Sequence, residues 1–310
     1  MGLNLTRLLQ IYMGKRMYAI EAVDLGRRFG DFWAVKRVSL SIRERSIAVL
    51  AGPNGAGKTT TIRILATLLR PSKGFARVAG FDVVRDFKEV RKRIAYLPQD
   101  YGSPGDITPY EFIAYSLMMR GLSYFDSRRE ARRWIELLGL ENVSRRPLRV
   151  LSGGERRRTL AAAALASNAD VVFLDEPTTG LDIEARYTVL KAVKDSTKVL
   201  GSTILLTTHM LEEAQLVADY VIFINSGEVV ASGKPRELLS TLPYRFRVIL
   251  EGVDRGCLDS TYIDLGERVI TWARDDGNVR QLVEVCKPSS FTIKEVTLED
   301  VYLYMVGGRR

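Results

Sequence analysis

The sequence predicts an α/β protein: a mainly parallel sheet flanked by helices, an antiparallel β region at its edge, a helical subdomain, and a small α+β domain at the C-terminal end. Three observations carry this prediction. Short apolar runs alternate with helical patterns through residues 171–224, the rhythm of successive βαβ units. A glycine-rich loop at residues 52–59 stands between an apolar strand pattern and a helical one. Beyond Pro243 the chain changes to amphipathic strands and short helices. The domains that follow are an N-terminal extension over 1–16, a main domain over 17–242 with its helical subdomain at 106–150, and a C-terminal accessory domain over 243–310. At 310 residues the chain has the length of about two domains.

Taken in order, residues 1–16 hold Arg7, Lys15 and Arg16 and no acid, with Leu5, Leu8, Leu9 and Tyr12 at roughly helical spacing. A membrane-surface helix and a frayed extension both fit them. Met17 is a second candidate start, and Tyr18-Ala19-Ile20-Glu21-Ala22 alternates as a strand does. Val38, Leu40 and Ile42 repeat that alternation, while residues 47–50 are continuously apolar, as in a strand covered on both faces. A helix is predicted over 58–69. Thr108, Pro109 and Glu111 are the N-cap, first and third positions of another helix, which Gly121 stops. A further amphipathic helix is expected over 128–138, ended by Gly139. The spacing then predicts strands at 171–174, 203–206 and 221–224, with helices at 183–193 and 211–218 between them. In the C-terminal part, Tyr244, Phe246, Val248 and Leu250 share one strand face. Strands are expected at 267–273 and 291–296, and helices at 278–286 and 297–306.

Composition excludes several classes. Two cysteines, Cys257 and Cys286, are too few for a disulfide framework or a Cys-rich zinc site, and one histidine rules out a multi-His metal centre. Both counts fit a reducing, cytosolic compartment. No run approaches the ~18 apolar residues of a membrane helix, and no secretory signal pattern is present. The 46 Lys+Arg against 37 Asp+Glu leave a net charge of +9. That balance suits nucleic acid, an anionic membrane surface or an acidic ligand equally.

The chemistry is concentrated in a few motifs. Gly52-Pro53-Asn54-Gly55-Ala56-Gly57-Lys58-Thr59 fits the phosphate-loop pattern G-x-x-x-x-G-K-[ST]. Its glycines let backbone N–H groups curl around a phosphate, and the helix that follows points its positive end at the same place. Lys58 is in reach of β- and γ-phosphates, and the Thr59 hydroxyl is a ligand for Mg²⁺. Val171-Val172-Phe173-Leu174-Asp175-Glu176 ends a buried strand with two acids. Asp175 is the candidate Mg²⁺ ligand, and Glu176 the candidate group that polarises an attacking water. Leu151-Ser152-Gly153-Gly154-Glu155 opens a helix carrying Arg156, Arg157 and Arg158, a second helix N-terminus suited to an anion.

The ordered set of these stretches, with Gln99 after the first, Pro177-Thr178-Thr179-Gly180-Leu181-Asp182 directly after the acid pair, and then His209, resembles the ATP-binding subunit of ABC transporters over roughly residues 17–242. The resemblance implies a P-loop ATPase that works as a homodimer. Each ATP would lie between the phosphate loop of one copy (Gly52 to Gly57, Lys58, Thr59 and Thr60) and the Ser152-Gly153-Gly154 signature of the other, with Ser152 and Gly154 on its γ-phosphate. By the same resemblance Gln99 senses Mg²⁺, water and the transmembrane partner. Asp182 communicates across the dimer, Phe29 stacks on adenine, and His209 contacts the γ-phosphate. The family more often has tyrosine where Phe29 stands; phenylalanine keeps the π-face and loses the hydroxyl. The tail, Phe291–Gly307 with the stretch TLEDVYLYMVGG from Thr297, resembles the C-terminal extension of drug- and lipid-exporter ATPases, the daunorubicin-resistance type included.

The function this implies is an ATP-hydrolysing subunit that powers an exporter through dimer closure. It would take ATP and Mg²⁺, use a separately encoded transmembrane permease, and sit at the cytoplasmic face of the cell membrane. The rival is a soluble ATPase of the same fold acting on nucleic acid or ribosomes. The charge favours it, but long coiled-coil insertions, zinc modules and a second ATPase domain are all missing from the sequence, so no nucleic acid partner is expected. Removal of residues 243–310 is expected to leave a folded ATPase core.

Overall fold

The computed structural model describes residues 18–102, 105–258 and 262–307, so the extension over 1–16 lies outside the described residues. In chain order the large sheet contains β1 (Tyr18–Phe29), β2 (Phe32–Arg43), β3 (Ile47–Ala51), β4 (Lys73–Val78), β5 (Phe81–Asp82), β6 (Ile94–Leu97), β7 (Val171–Asp175), β8 (Thr203–Thr208), β9 (Tyr220–Asn225) and β10 (Glu228–Gly233). Their spatial order is β5-β4-β1-β2-β10-β9-β3-β8-β7-β6. The block β9-β3-β8-β7-β6 is parallel throughout, and β5-β4-β1-β2 is antiparallel. The α/β class, the parallel centre and the antiparallel edge are thus as the sequence predicts.

Both faces of the parallel block are covered, which explains its unbroken apolar runs. Val49, Val172, Leu174, Leu206 and Phe223 enter one core. Leu50, Phe173, Leu205, Ile222 and Ile224 enter the core on the opposite face. The helices that cover these faces are α1 (Lys58–Leu65), α2 (Phe87–Arg93), α3 (Pro109–Met119), α4 (Tyr124–Leu137), α5 (Gly153–Leu165), α6 (Ile183–Leu200), α7 (Leu211–Val217) and α8 (Pro235–Leu239). The Thr108 capping box and Pro109 start α3 as expected, and Gly121 follows its end at φ 96°.

Several boundaries move for local reasons. Helix α1 ends at Leu65, because Thr67 turns left-handed at φ 64° and the N–H groups of Leu68 and Leu69 fold back onto the Arg63 carbonyl. Helix α4 starts at Tyr124 because the Ser123 side chain accepts from the Asp126 N–H and caps it there. Strand β6 was not predicted; its four residues follow the basic run of α2 and offer too short an alternation to read.

A second, antiparallel sheet is formed by β11 (Phe246–Glu251), β12 (Tyr262–Asp264), β13 (Arg268–Ala273) and β14 (Ser290–Glu295), with α9 (Asp276–Cys286) against it and α10 (Leu298–Gly307) after it. Tyr244 precedes β11 and packs with Trp272 and Tyr304. Cys257 and Cys286 are joined in a disulfide, their Cα atoms 5.2 Å apart. The low cysteine count pointed to a reducing compartment; the crosslink arises because the end of α9 packs beside the turn at Arg255–Cys257.

The last helix does not belong wholly to this small sheet. Leu298 and Val301 have no exposed surface and sit in the core of the large domain. The Tyr302 ring meets Phe223 of β9 edge-on at 5.6 Å, and the Leu298 N–H donates to Gln215 of α7 at 3.3 Å. Removing residues 243–310 therefore opens the core that the sequence reading expected to leave intact. Burying one aliphatic side chain contributes about 1.5–3 kcal/mol, a sizeable fraction of a domain stability of about 5–15 kcal/mol. Leu298→Ala should lower unfolding stability by about 2–5 kcal/mol, read from the shift of a denaturant midpoint. An unchanged midpoint would place α10 outside the core.

Candidate functional site

The site lies at the carboxyl ends of the parallel strands. Strand β3 runs between β9 and β8, with β7 beyond β8. The loop after β3 and the acids that end β7 thus approach each other across the end of β8. Two glycines shape the loop. A Cβ on Gly52 would collide with the Ile224 carbonyl, and one on Gly57 would stand 2.5 Å from the Ala34 carbonyl. Gly57 also needs φ 102°, which side chains rarely adopt. Helix α1 has no side-chain cap and no acid in its first turn. Its first N–H groups and its positive end are left for an anion.

Lys58 is 5% exposed. Its ammonium donates to the carbonyls of Gly52 (2.8 Å) and Pro53 (3.0 Å) and lies 3.5 Å from Glu176 Oε1. Burial holds the Lys58 ammonium below its usual range, against the opposite pull of Glu176 and Asp175. Glu176, itself buried, also accepts from the Thr179 hydroxyl at 2.9 Å, and its Oε2 is 3.4 Å from His209 Nδ1. Its backbone is left-handed, φ 50°, a conformation that non-glycine residues keep where surrounding contacts enforce it.

Thr59, Asp175 and Gln99 form the other half. The Thr59 hydroxyl is 3.1 Å from Asp175 Oδ1 and 3.4 Å from Gln99 Oε1. Burial pushes the Asp175 carboxyl above its usual range, against the lowering hydrogen bonds from Thr207 and Thr59. Asp175 Oδ2 is buried and has no hydrogen-bond partner. A carboxylate oxygen left unpaired beside a hydroxyl and an amide oxygen fits a hard cation.

Thr207 of β8 is the member that sequence reasoning missed. Its hydroxyl donates to Asp175 Oδ1 at 2.7 Å and accepts from the Glu176 N–H at 2.9 Å. No local motif marks it; only the pairing of β8 with β7 puts it there.

The remaining predicted residues stand apart from this network. Phe29 ends β1, is 43% exposed, and carries the Arg27 guanidinium 4.6 Å over its ring. Asn54 and Gly55 are exposed at the loop tip, while Ala56 is buried and Thr60 is half-buried on α1. Asp182 caps α6, accepting from the Ala185 N–H at 2.8 Å. Ser152 starts α5 in a capping box with Glu155, whose carboxylate accepts from the Ser152 N–H and hydroxyl. The helix end proposed for an anion thus already holds an acid of its own chain. Gly154 packs against Leu181, so the signature lies next to Asp182 in the chain fold. Among the described residues, no hydrogen bond or ion pair joins Ser152, Gly153 or Gly154 to the phosphate loop.

Because both groups on Thr207 are buried, Thr207→Val should cost about 1–3 kcal/mol through unsatisfied partners and slow ATP hydrolysis, whereas Thr207→Ser should restore both. Denaturant unfolding and steady-state turnover check this; a Val variant equal to wild type in both would remove Thr207 from the site.

Comparisons with known proteins bear on the family. Residues 35–179 match the family model described as ABC transporter. The chain is 35% identical over 307 residues to the daunorubicin resistance ATP-binding protein of Streptomyces coeruleorubidus, a match spanning 94% of this chain and 97% of that protein. It is 34% identical over 296 residues to the Nod factor export ATP-binding protein I of Ralstonia nicotianae, spanning 91% and 92% respectively. A dimeric ATP-binding cassette in a post-hydrolysis state, bound to ADP and Pi, shares the fold with a TM-score of 0.63 at 24% identity, over 69% of this chain and 98% of the other. The chain belongs to the ATP-binding proteins of the ABC transporter family, and it binds and hydrolyses ATP.

Proposed function

We propose that the chain is the energising subunit of a membrane exporter, working as a homodimer with a separately encoded transmembrane permease at the cytoplasmic face of the membrane. The observation that carries this reading is the single connected network of Lys58, Glu176 and His209 beside Thr59, Asp175 and Gln99. The full-length likeness to a resistance ATP-binding protein and to an export ATP-binding protein supports the direction. No helix among the described residues is long and apolar enough to cross a membrane. The transmembrane path is therefore assigned to the permease, docked near Gln99 and the helices of 106–150.

In this reading Lys58 exchanges the Gly52 and Pro53 carbonyls for the β- and γ-phosphates, and free backbone N–H groups between Asn54 and Thr60 surround them. Thr59, Asp175 and Gln99 would hold Mg²⁺, which offsets phosphate charge when bound. Glu176, freed from Lys58, orients the attacking water and accepts its proton. His209, already beside Glu176, donates to charge growing on the γ-phosphate. Phe29 offers the ring face opposite Arg27 to adenine. Ser152, Gly153 and Gly154 of a second copy close over the nucleotide, with Asp182 between the two sites.

Glu176→Gln should keep ATP binding and lose turnover by about 10²–10⁴-fold, accumulating an ATP-bound dimer visible by light scattering. Turnover within about threefold of wild type would remove Glu176 from the proton-accepting role. His209→Ala should lower kcat more than ATP affinity, because its partner is transition-state charge; a collapse of affinity at constant kcat would contradict that role. Purified with its native membrane partner and placed in vesicles, the protein should show ATP-driven movement of cargo. Salt-sensitive binding of nucleic acid at physiological ionic strength, with no membrane partner retained, would overturn the exporter reading.

A further inference from the structure

Arg157 lies one turn into α5, just behind Ser152, and is 5% exposed. It has no acid as a partner: among the described residues no ion pair involves it. Its guanidinium instead holds backbone. Nη1 donates to the carbonyls of Pro98 (3.1 Å) and Gln99 (2.6 Å). Nη2 donates to the carbonyl of Asp175 (2.6 Å) and to that of Glu176. The Tyr101 ring lies 5.9 Å from the guanidinium carbon. Burial holds the guanidinium below its usual range, against the opposite pull of Tyr101, Asp175, Glu176 and Asp100. Only a planar fork with several fixed donors spans two separate chain segments in this way; an ammonium is a point donor. Arg157, Gln99 and Tyr101 also line a cleft of about 450 Å³, with Gly153, Arg156 and Gly180 among its other walls.

We propose that Arg157 is a positioning residue that couples the two nucleotide sites of the dimer. This rests on the reading of each site as shared between copies. Helix α5 then has two duties. Its N-terminus at Ser152 and Gly154 meets the nucleotide held by the other copy. One turn later, Arg157 fixes the main chain of Gln99, Asp175 and Glu176 in its own copy's site. A movement of α5 on contact with the partner's nucleotide is passed to the carbonyls of Gln99 and Glu176, and so to the side chains that face water and cation. Arg156 and Arg158 do not share this duty. Arg156 donates to the Leu151 carbonyl, and Arg158 to those of Leu138 and Gly139.

The test is the dependence of hydrolysis on ATP concentration in R157M and R157K, beside ATP affinity measured with the same changes in a Ser152→Arg background that blocks closure. Wild type should be cooperative, with a Hill coefficient between 1 and about 2 for two coupled sites. R157M should fall to a coefficient near 1 with kcat lowered about tenfold, while affinity in the blocked background stays within about threefold. A folded R157M with wild-type cooperativity overturns the inference. So does loss of affinity in the blocked background, which would mark a structural role within one site. If thermal unfolding shows that R157M does not fold, R157K carries the test, since its ammonium reaches one segment at a time; wild-type cooperativity in R157K overturns the inference. A wild type that neither dimerises with ATP nor shows cooperativity overturns the shared-site reading, and the coupling with it.

Discussion

A buried ammonium organises this molecule. Lys58 is withdrawn from water, and an unpaired charge there would cost several kcal/mol. The fold meets that cost with two loop carbonyls and Glu176. The partners come from distant parts of the chain, and parallel pairing is what assembles them. Because β8 separates β3 from β7, its last residues fall between the lysine and the acids. Thr207 and His209 are therefore placed by strand order as much as by their own neighbours. The same cluster keeps one buried carboxylate oxygen, Asp175 Oδ2, without a protein partner. The charged centre of the site is thus buried while Gln99 and His209 at its rim are exposed, which suits a polyanion accompanied by a cation.

Much of this was legible in the sequence because it is written in contiguous residues. The loop 52–59, the run ending at Asp175 and Glu176, and the capped start of α3 are each set by local rules of backbone conformation and hydrogen bonding. Lys58, Thr59, Asp175 and Glu176 were named from such stretches, Gln99 and His209 from the family resemblance, and the structure brings all six together. Thr207 and Arg157 were not read as functional. One sits in an apolar strand, the other in a run of three arginines, and what distinguishes each is its partners across the sheet or on another loop. The self-capping of Ser152 by Glu155 follows a recognisable pattern, yet the same residues read equally as an open anion site. Which reading holds depends on what stands in front of the helix.

The tail is the clearest departure. The sequence places Leu298, Val301 and Tyr302 in the C-terminal accessory domain, because apolar periodicity does not say which core a face enters. They are built into the large domain, against α7, the helix that follows His209. Asp300, fully buried, accepts from Trp272 of the small sheet and from Thr297 at the start of the same helix. The small sheet is thereby tied to the helix next to the histidine. The crosslink between Cys257 and Cys286 ties the turn before β12 to the end of α9.

The central proposal is that one chain presents two halves of different sites: a phosphate loop with its acids, and a helix start that serves another copy. Mixing two damaged chains tests this most directly. One carries Lys58→Ala, the other Ser152→Arg with Gly154→Asp, so each homodimer lacks one half at both of its sites. Their heterodimer contains one doubly damaged site and one intact site, and nucleotide trapped per verified heterodimer is the quantity to measure. Trapping of about one nucleotide per heterodimer is expected, with little in either homodimer, since only the mixed pair rebuilds a complete site. No trapping in heterodimers, beside robust trapping in the wild type, would contradict a site shared between chains.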